Sequence, residues 1–218
     1  MRLAVPPGVF RPRPDSRMLA AVVTELVSPQ DRVLDLCTGS GLLAVTAALA
    51  GGRATAVDLS RRAVATARLN GRLNGVRVDA RRGSLFGPVA GERFDLIVSN
   101  PPYIPAAPGA RTTRAARAWD AGDDGRALLD PLCAGAPAHL RPGGALLLVH
   151  SQLAGIEATQ AACARAGLAC AVLHDQQGPL GAIGRERLEH LVAAGVIGGH
   201  GETERTAVLL ARAPVAVE

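Results

Sequence analysis

Short runs rich in β-branched residues and Leu alternate along the chain with longer stretches whose apolar positions recur at helical spacing. The runs lie at residues 32–37 (RVLDLC), 54–59 (ATAVDL), 76–80 (VRVDA), 94–99 (FDLIVS), 144–150 (GALLLVH), 168–174 (LACAVLH) and 205–213 (RTAVLLARA). A strand-like run followed by a helical pattern, repeated in this way, marks βαβ units of a parallel sheet. GLLAVTAALA follows the first run and RRAVATARLNGRLN the second, with Ser60 as N-cap of the latter. Ahead of the first strand, GVFRPRPDSRMLAAVV is a proline-rich lead into a helix that starts near Asp15 or Ser16. Between the last two strands a long, glycine-flanked connection over 176–204 holds a short helix around 185–194. The pattern predicts seven strands in a three-layer α/β sandwich, with residues 1–31 leading into a single globular domain whose body is 32–218.

Composition narrows the classes. A chain of 218 residues with 48% apolar content builds one sizeable core. No stretch is apolar enough to span a bilayer, and the N-terminus MRLAVPPGVFRPRP carries prolines where a secretory signal has its apolar segment, so a cytoplasmic protein with no membrane contact is expected. Cys37, Cys133, Cys163 and Cys170 form no C-x-x-C pair and have no His at ligand spacing, which predicts reduced thiols and no metal. All 24 basic residues are Arg, and the net charge of +5 favours a polyanionic partner. These arginines are dispersed in pairs such as Arg61-Arg62 and Arg81-Arg82, which makes nucleic acid a weaker expectation than a protein or small-molecule substrate.

The chemistry concentrates at strand ends. LDLCTGSGLLAV puts a G-x-G directly after the first strand and at the opening of a helix, where Gly39 and Gly41 let backbone N–H groups approach a ligand. Asp58 ends the second strand, from which a carboxylate can accept hydrogen bonds from both hydroxyls of a ribose. Together they indicate a nucleoside-bearing cofactor. A dinucleotide fingerprint wants a third glycine where this chain has Ala44. Asp35, before the glycines, either faces a cationic group such as an amino-acid ammonium or braces the loop. The first reading favours S-adenosylmethionine over NAD.

VLDLCTGSG, AVDLS and SNPPYIP, in this order and spacing, resemble the class I S-adenosylmethionine-dependent methyltransferases, and within them the release-factor glutamine N5-methyltransferases. The resemblance covers residues from about 9 to 150, and it implies a Rossmann-like seven-stranded, mostly parallel sheet. It implies that Asp35, Thr38, Gly39 and Gly41 surround the methionine part of the cofactor, that Asp58 holds the ribose, and that Leu59, Ser84 and Leu85 lie by the adenine, with Asn100 at the cofactor's reactive end. Residues 1–31 then form a cofactor lid, and WDAGDDGRALLD (119–130) is similar to the family's acidic segment after the catalytic loop. The family usually has an acidic residue at Ser84. Its bacterial members carry a helical substrate-binding domain ahead of the cofactor motif, whereas here the first strand begins near residue 32. In length the chain resembles the short archaeal and eukaryotic branch, whose enzyme is stabilised by a small partner subunit; a homodimer is the other expected assembly.

Asn100 stands between an apolar strand and two prolines. Proline cannot donate to a ladder and restricts the residue before it, so the chain leaves the sheet at Asn100 in a stiff, extended form. A primary amide nitrogen is a poor nucleophile because its lone pair is shared with the carbonyl. If the Asn100 side-chain oxygen and the Pro101 carbonyl each accept one N–H of a planar –NH2, they hold that lone pair in line with the methyl donor, and Tyr103 can stack on the flat group. Positioning of this kind lowers a barrier by roughly 7–11 kcal/mol. The acceptor expected first is a protein glutamine, that of a release factor by the resemblance; the amino group of a nucleic-acid base and a small biosynthetic molecule fit the same clamp. Asp120, Asp123 and Asp124 are read as turn chemistry. Trp119 is read as either a pocket wall or a loop anchor, and His139, His150, His174, His190 and His200 as surface or packing residues.

Overall fold

The computed structural model describes residues 1–106, 121–198 and 203–215. Pro14, with its φ preset, opens α1 (Pro14–Leu26), and the Ser16 hydroxyl reaches back to accept from the Arg13 N–H at 3.2 Å. β1 (Arg32–Leu36), β2 (Arg53–Asp58), β3 (Val78–Arg82) and β4 (Phe94–Ser99) then alternate with α2 (Leu42–Leu49) and α3 (Arg61–Leu73). α2 is buried along most of its length between α1 and α3, which explains a sequence apolar on every side. α3 is amphipathic: Ser60 caps it by accepting from the Ala63 N–H, and Ala63, Val64 and Ala67 face inward.

The second half runs α4 (Leu129–His139), β5 (Leu140–Ser151), α5 (Ile156–Arg165), β6 (Ala169–Pro179), the short helices α6 (Ala182–Glu186) and α7 (Leu188–Ala193), and β7 (Thr203–Arg212). The strand order is β3-β2-β1-β4-β5-β7-β6. β1 to β5 pair in parallel, and β7 lies antiparallel to both of its neighbours. Period-two alternation sends Val33, Val98 and Leu147 into one core with α1 to α3, and Leu34, Ile97 and Leu146 into a second with α4 and α5. β1, β4 and the latter part of β5 therefore read as continuous apolar runs, whereas the edge strand β6 is mostly exposed.

Seven strands and three layers agree with the sequence pattern, and several boundaries move. β5 starts at Leu140 rather than 144, with Phe94 pairing to Leu140 before a register shift. β6 continues to Pro179 because β7 pairs with it as far as Thr203. The helix expected over 185–194 is two helices joined at Arg187, whose φ of −109° and ψ of 11° interrupt the turn. No helix among the described residues is long and apolar enough to cross a membrane.

Candidate active site

The strand order reverses between β1 and β4, which opens a crevice beyond their carboxyl ends. A cavity of about 420 Å³ lies there. Its floor is the loop after β1, in which Cys37, Gly39 and Gly41 take positive φ values of 59°, 54° and 81°. The Gly39 N–H donates to Asp58 Oδ2 at 2.9 Å and the Ser60 N–H to Oδ1 at 2.8 Å, so one carboxylate ties the β1 and β2 loops together. Burial raises the Asp58 pKa against the lowering effect of these bonds. Each oxygen keeps acceptor capacity towards the cavity.

Gly39, Asp58, Leu59, Ser84, Leu85, Asn100, Pro101 and Tyr103 all line this space; Asp35, Thr38 and Gly41 do not. Asp35 is fully buried behind the loop, where its Oδ2 accepts from the Thr38 hydroxyl and from the Ala44 N–H at 3.1 Å. Through these two bonds it braces the first turn of α2. Its Oδ1 has no hydrogen-bond partner, and burial pushes its pKa up to about 7. A Cβ at Gly41 would lie 2.7 Å from Ala67 Cα, so that glycine serves helix packing. Leu59, 52% exposed, lines the cavity together with Ser84 and Leu85. Burial and the Asp58 carboxylate push the Cys37 thiol up to about 12, which leaves it a neutral packing group.

The other end is built from residues far apart in sequence. Asn100 leaves β4 half-buried, and its Nδ2 donates to Ser16 Oγ at 3.0 Å and to Asp15 Oδ2 at 3.3 Å. The Tyr103 hydroxyl donates to the same Asp15 oxygen at 3.0 Å. Burial, with the Asp15 and Glu204 carboxylates next in weight, holds the Tyr103 pKa well above the usual tyrosine value. His150, fully buried on β5, tilts against the Tyr103 ring at 6.4 Å between centroids, and burial lowers its pKa to about 4. Gly125 takes a φ of 77°, and a Cβ there would lie 2.3 Å from the Tyr103 carbonyl. Arg187, between α6 and α7, donates to the carbonyls of Ile104 and Pro105, so the β6–β7 connection clasps the end of the NPPYIP loop.

Sequence reading missed Asp15, Ser16 and Arg187 as site residues, because a polar pair at a helix start signals only a cap. His150, taken as a surface or packing residue, is buried beside the NPPYIP loop. The Asp124 carboxylate accepts from the Arg126 N–H at 2.9 Å, in keeping with turn chemistry, while Trp119, Asp120 and His200 lie outside the described residues. Among the described residues no cluster could hold a metal ion, and all four cysteines are free.

The methyltransferase small domain family matches residues 1–170. The chain is 38% identical over 152 residues to a release factor glutamine methyltransferase of Geobacter sulfurreducens, a stretch covering 66% of this chain and 54% of that one. It is 43% identical over 126 residues to a ribosomal protein uL3 glutamine methyltransferase of Bradyrhizobium diazoefficiens, covering 54% of this chain and 40% of that protein. The chain thus spans about half the length of the curated relatives it matches. In fold it is similar, with a TM-score of 0.65 at 19% identity, to a chain of the E. cuniculi Mtq2-Trm112 complex responsible for methylating the eRF1 translation termination factor; the match covers 94% of this chain and 99% of that one.

Proposed function

Because the chain belongs to the methyltransferase small domain family, we propose that it transfers the methyl group of S-adenosylmethionine to the side-chain nitrogen of a protein glutamine, with a translation release factor as the first acceptor to test. The observation that carries this reading is Asn100, held at the end of β4 by two prolines, lining the same cavity as Asp58. The cofactor supplies an electrophilic methyl on a sulfonium. Asp58 offers acceptor oxygens for the ribose, Gly39 admits the methionine part, and Leu59, Ser84 and Leu85 take the adenine. The unpartnered Asp35 Oδ1 behind the loop fits a cationic group nearby. Residues 1–31 act as a lid, in that Gly8, Val9, Phe10, Arg13 and Asp15 close one side of the cavity.

Asn100 Oδ1 and the Pro101 carbonyl accept the two N–H groups of the acceptor amide, which turns its lone pair along the transfer axis. A small partner subunit belongs to the reading too: the eRF1-methylating neighbour is a complex, and α3 leaves Leu69 and Leu73 exposed one turn apart.

The test is incubation with methyl-labelled S-adenosylmethionine and, separately, a purified release factor, ribosomal protein, RNA and a small-molecule extract. Label should enter the release factor at a glutamine. Label confined to RNA or to small molecules would overturn the reading.

A further inference from the structure

We propose that Asp15 is a positioning residue that sets which end of the Asn100 amide meets the acceptor, an inference that rests on the reading of Asn100 given above. A carboxylate accepts hydrogen bonds and donates none, so the group beside Asp15 Oδ2 has to be the Asn100 –NH2 and not its carbonyl. Ser16 reinforces this choice. Its hydroxyl lies 3.2 Å from Asp15 Oδ1, where it spends its hydrogen, and so it offers Asn100 Nδ2 only a lone pair. The Asn100 carbonyl oxygen, which accepts no hydrogen bond among the described residues, is left as the end available to an acceptor N–H.

Asp15 is built for this task. It is 9% exposed, its Oδ1 takes the Ser16 N–H and hydroxyl, and its Oδ2 takes the Asn100 amide and the Tyr103 hydroxyl. One carboxylate thus fixes the first and last residues of the Asn-Pro-Pro-Tyr run to the start of α1. Donation from the amide to a carboxylate also draws electron density towards Oδ1, making it a stronger acceptor at the moment the acceptor nitrogen gains positive charge.

Two measurements test the assignment. Tyr103 is the only tyrosine of the chain, so ultraviolet titration of the phenol reports on it alone and needs neither cofactor nor acceptor. The groups facing it are Asp15, Glu204 and Arg13, with the neutral His150 ring alongside. Asp15→Asn should move its titration downward towards the free-tyrosine value of about 10, with circular dichroism confirming the fold, while Asp15→Glu keeps the raised value. The second measurement is a double-mutant cycle, with methyl-labelled S-adenosylmethionine and a purified release factor as acceptor. Asp15→Asn should reduce kcat by about 10–100-fold at saturating S-adenosylmethionine. Added to Asn100→Ala it should cost nothing further, since it acts through that amide. An unmoved tyrosine titration, or losses that multiply in the double variant, would overturn the role of Asp15 and leave Asn100 in place. Full activity of Asn100→Ala would overturn both.

Discussion

The two ends of the cavity, which the proposed reading gives to the nucleoside and to the acceptor, are built by different means. At the nucleoside end the contacts are backbone N–H groups meeting one carboxylate, and the Gly39–Asp58 bond joins residues only 19 apart in sequence. At the acceptor end side chain meets side chain or carbonyl: Asp15 to Asn100 across 85 residues, Asp15 to Tyr103 across 88, and Arg187 to Ile104 across 83. Backbone donors are present whatever the side chains, so the first end survives much sequence change provided a glycine and an acid remain. The second end depends on the packing of α1, β4 and the β6–β7 connection together. On the proposed reading it is the end that meets the acceptor, and it is the one a mutation in any of three elements can misalign.

Asn100→Ala should break the acceptor end alone. Loss of a preorganised electrostatic group lowers turnover by about 10²–10³, while affinity for S-adenosylhomocysteine, measured by calorimetry, should stay close to that of the parent. A comparable loss of affinity would mean that the two ends are not separable.

Asp58→Ala should do the converse. Cofactor affinity should fall by roughly 1.5–3 kcal/mol, the range for a hydrogen bond to a charged group, with turnover recovered at saturating cofactor. Unchanged affinity in a folded variant would place the ribose elsewhere.

The smallest effect is a difference in pH response. His150, beneath the acceptor end, has its folded pKa lowered to about 4, so the native state binds fewer protons than the unfolded one below about 6.5 and stability is lost as pH falls. Asp35, beneath the nucleoside end, has its folded pKa raised to about 7, so stability is lost as pH rises from about 4 towards 7. Urea unfolding of His150→Gln should remove about 2 kcal/mol of the acid-side loss at pH 5. Asp35→Asn should flatten the opposite slope. Parallel pH profiles for the parent and both variants would remove this contrast.

The same division decides what was legible in the sequence. Gly39 and Asp58 could be read because a strand-end glycine and a strand-end acid carry their meaning locally, and Asn100 because two prolines announce a stiff exit from a strand. Asp15 could not be read, because its role exists only once α1 lies against the end of β4. Asp35 shows the limit of a motif position: the period of β1 turns its side chain towards α2, behind the loop, and only Gly39 of the two glycines reaches the cavity. The early start of β5 was hidden by Arg141-Pro142-Gly143-Gly144, which reads as a turn, although the Gly143 N–H bonds to the Pro214 carbonyl at 3.1 Å beside β7.

The placement of β7 between β5 and β6 bears on how the chain reaches this fold. The parallel pairs among β1 to β4 need no residue beyond Ser99, and the bonds that tie the β1 and β2 loops together need none beyond Ser60. β5 then carries an apolar edge and β6 has no neighbour until residues 203–212 arrive and enter between them in the opposite direction. Folding therefore closes with an insertion of high contact order, and the chain that awaits it exposes two unpaired strand edges to proteases and to other chains. A chain truncated just before β7 would keep the tied loops after β1 and β2 beside a sheet with an adhesive edge.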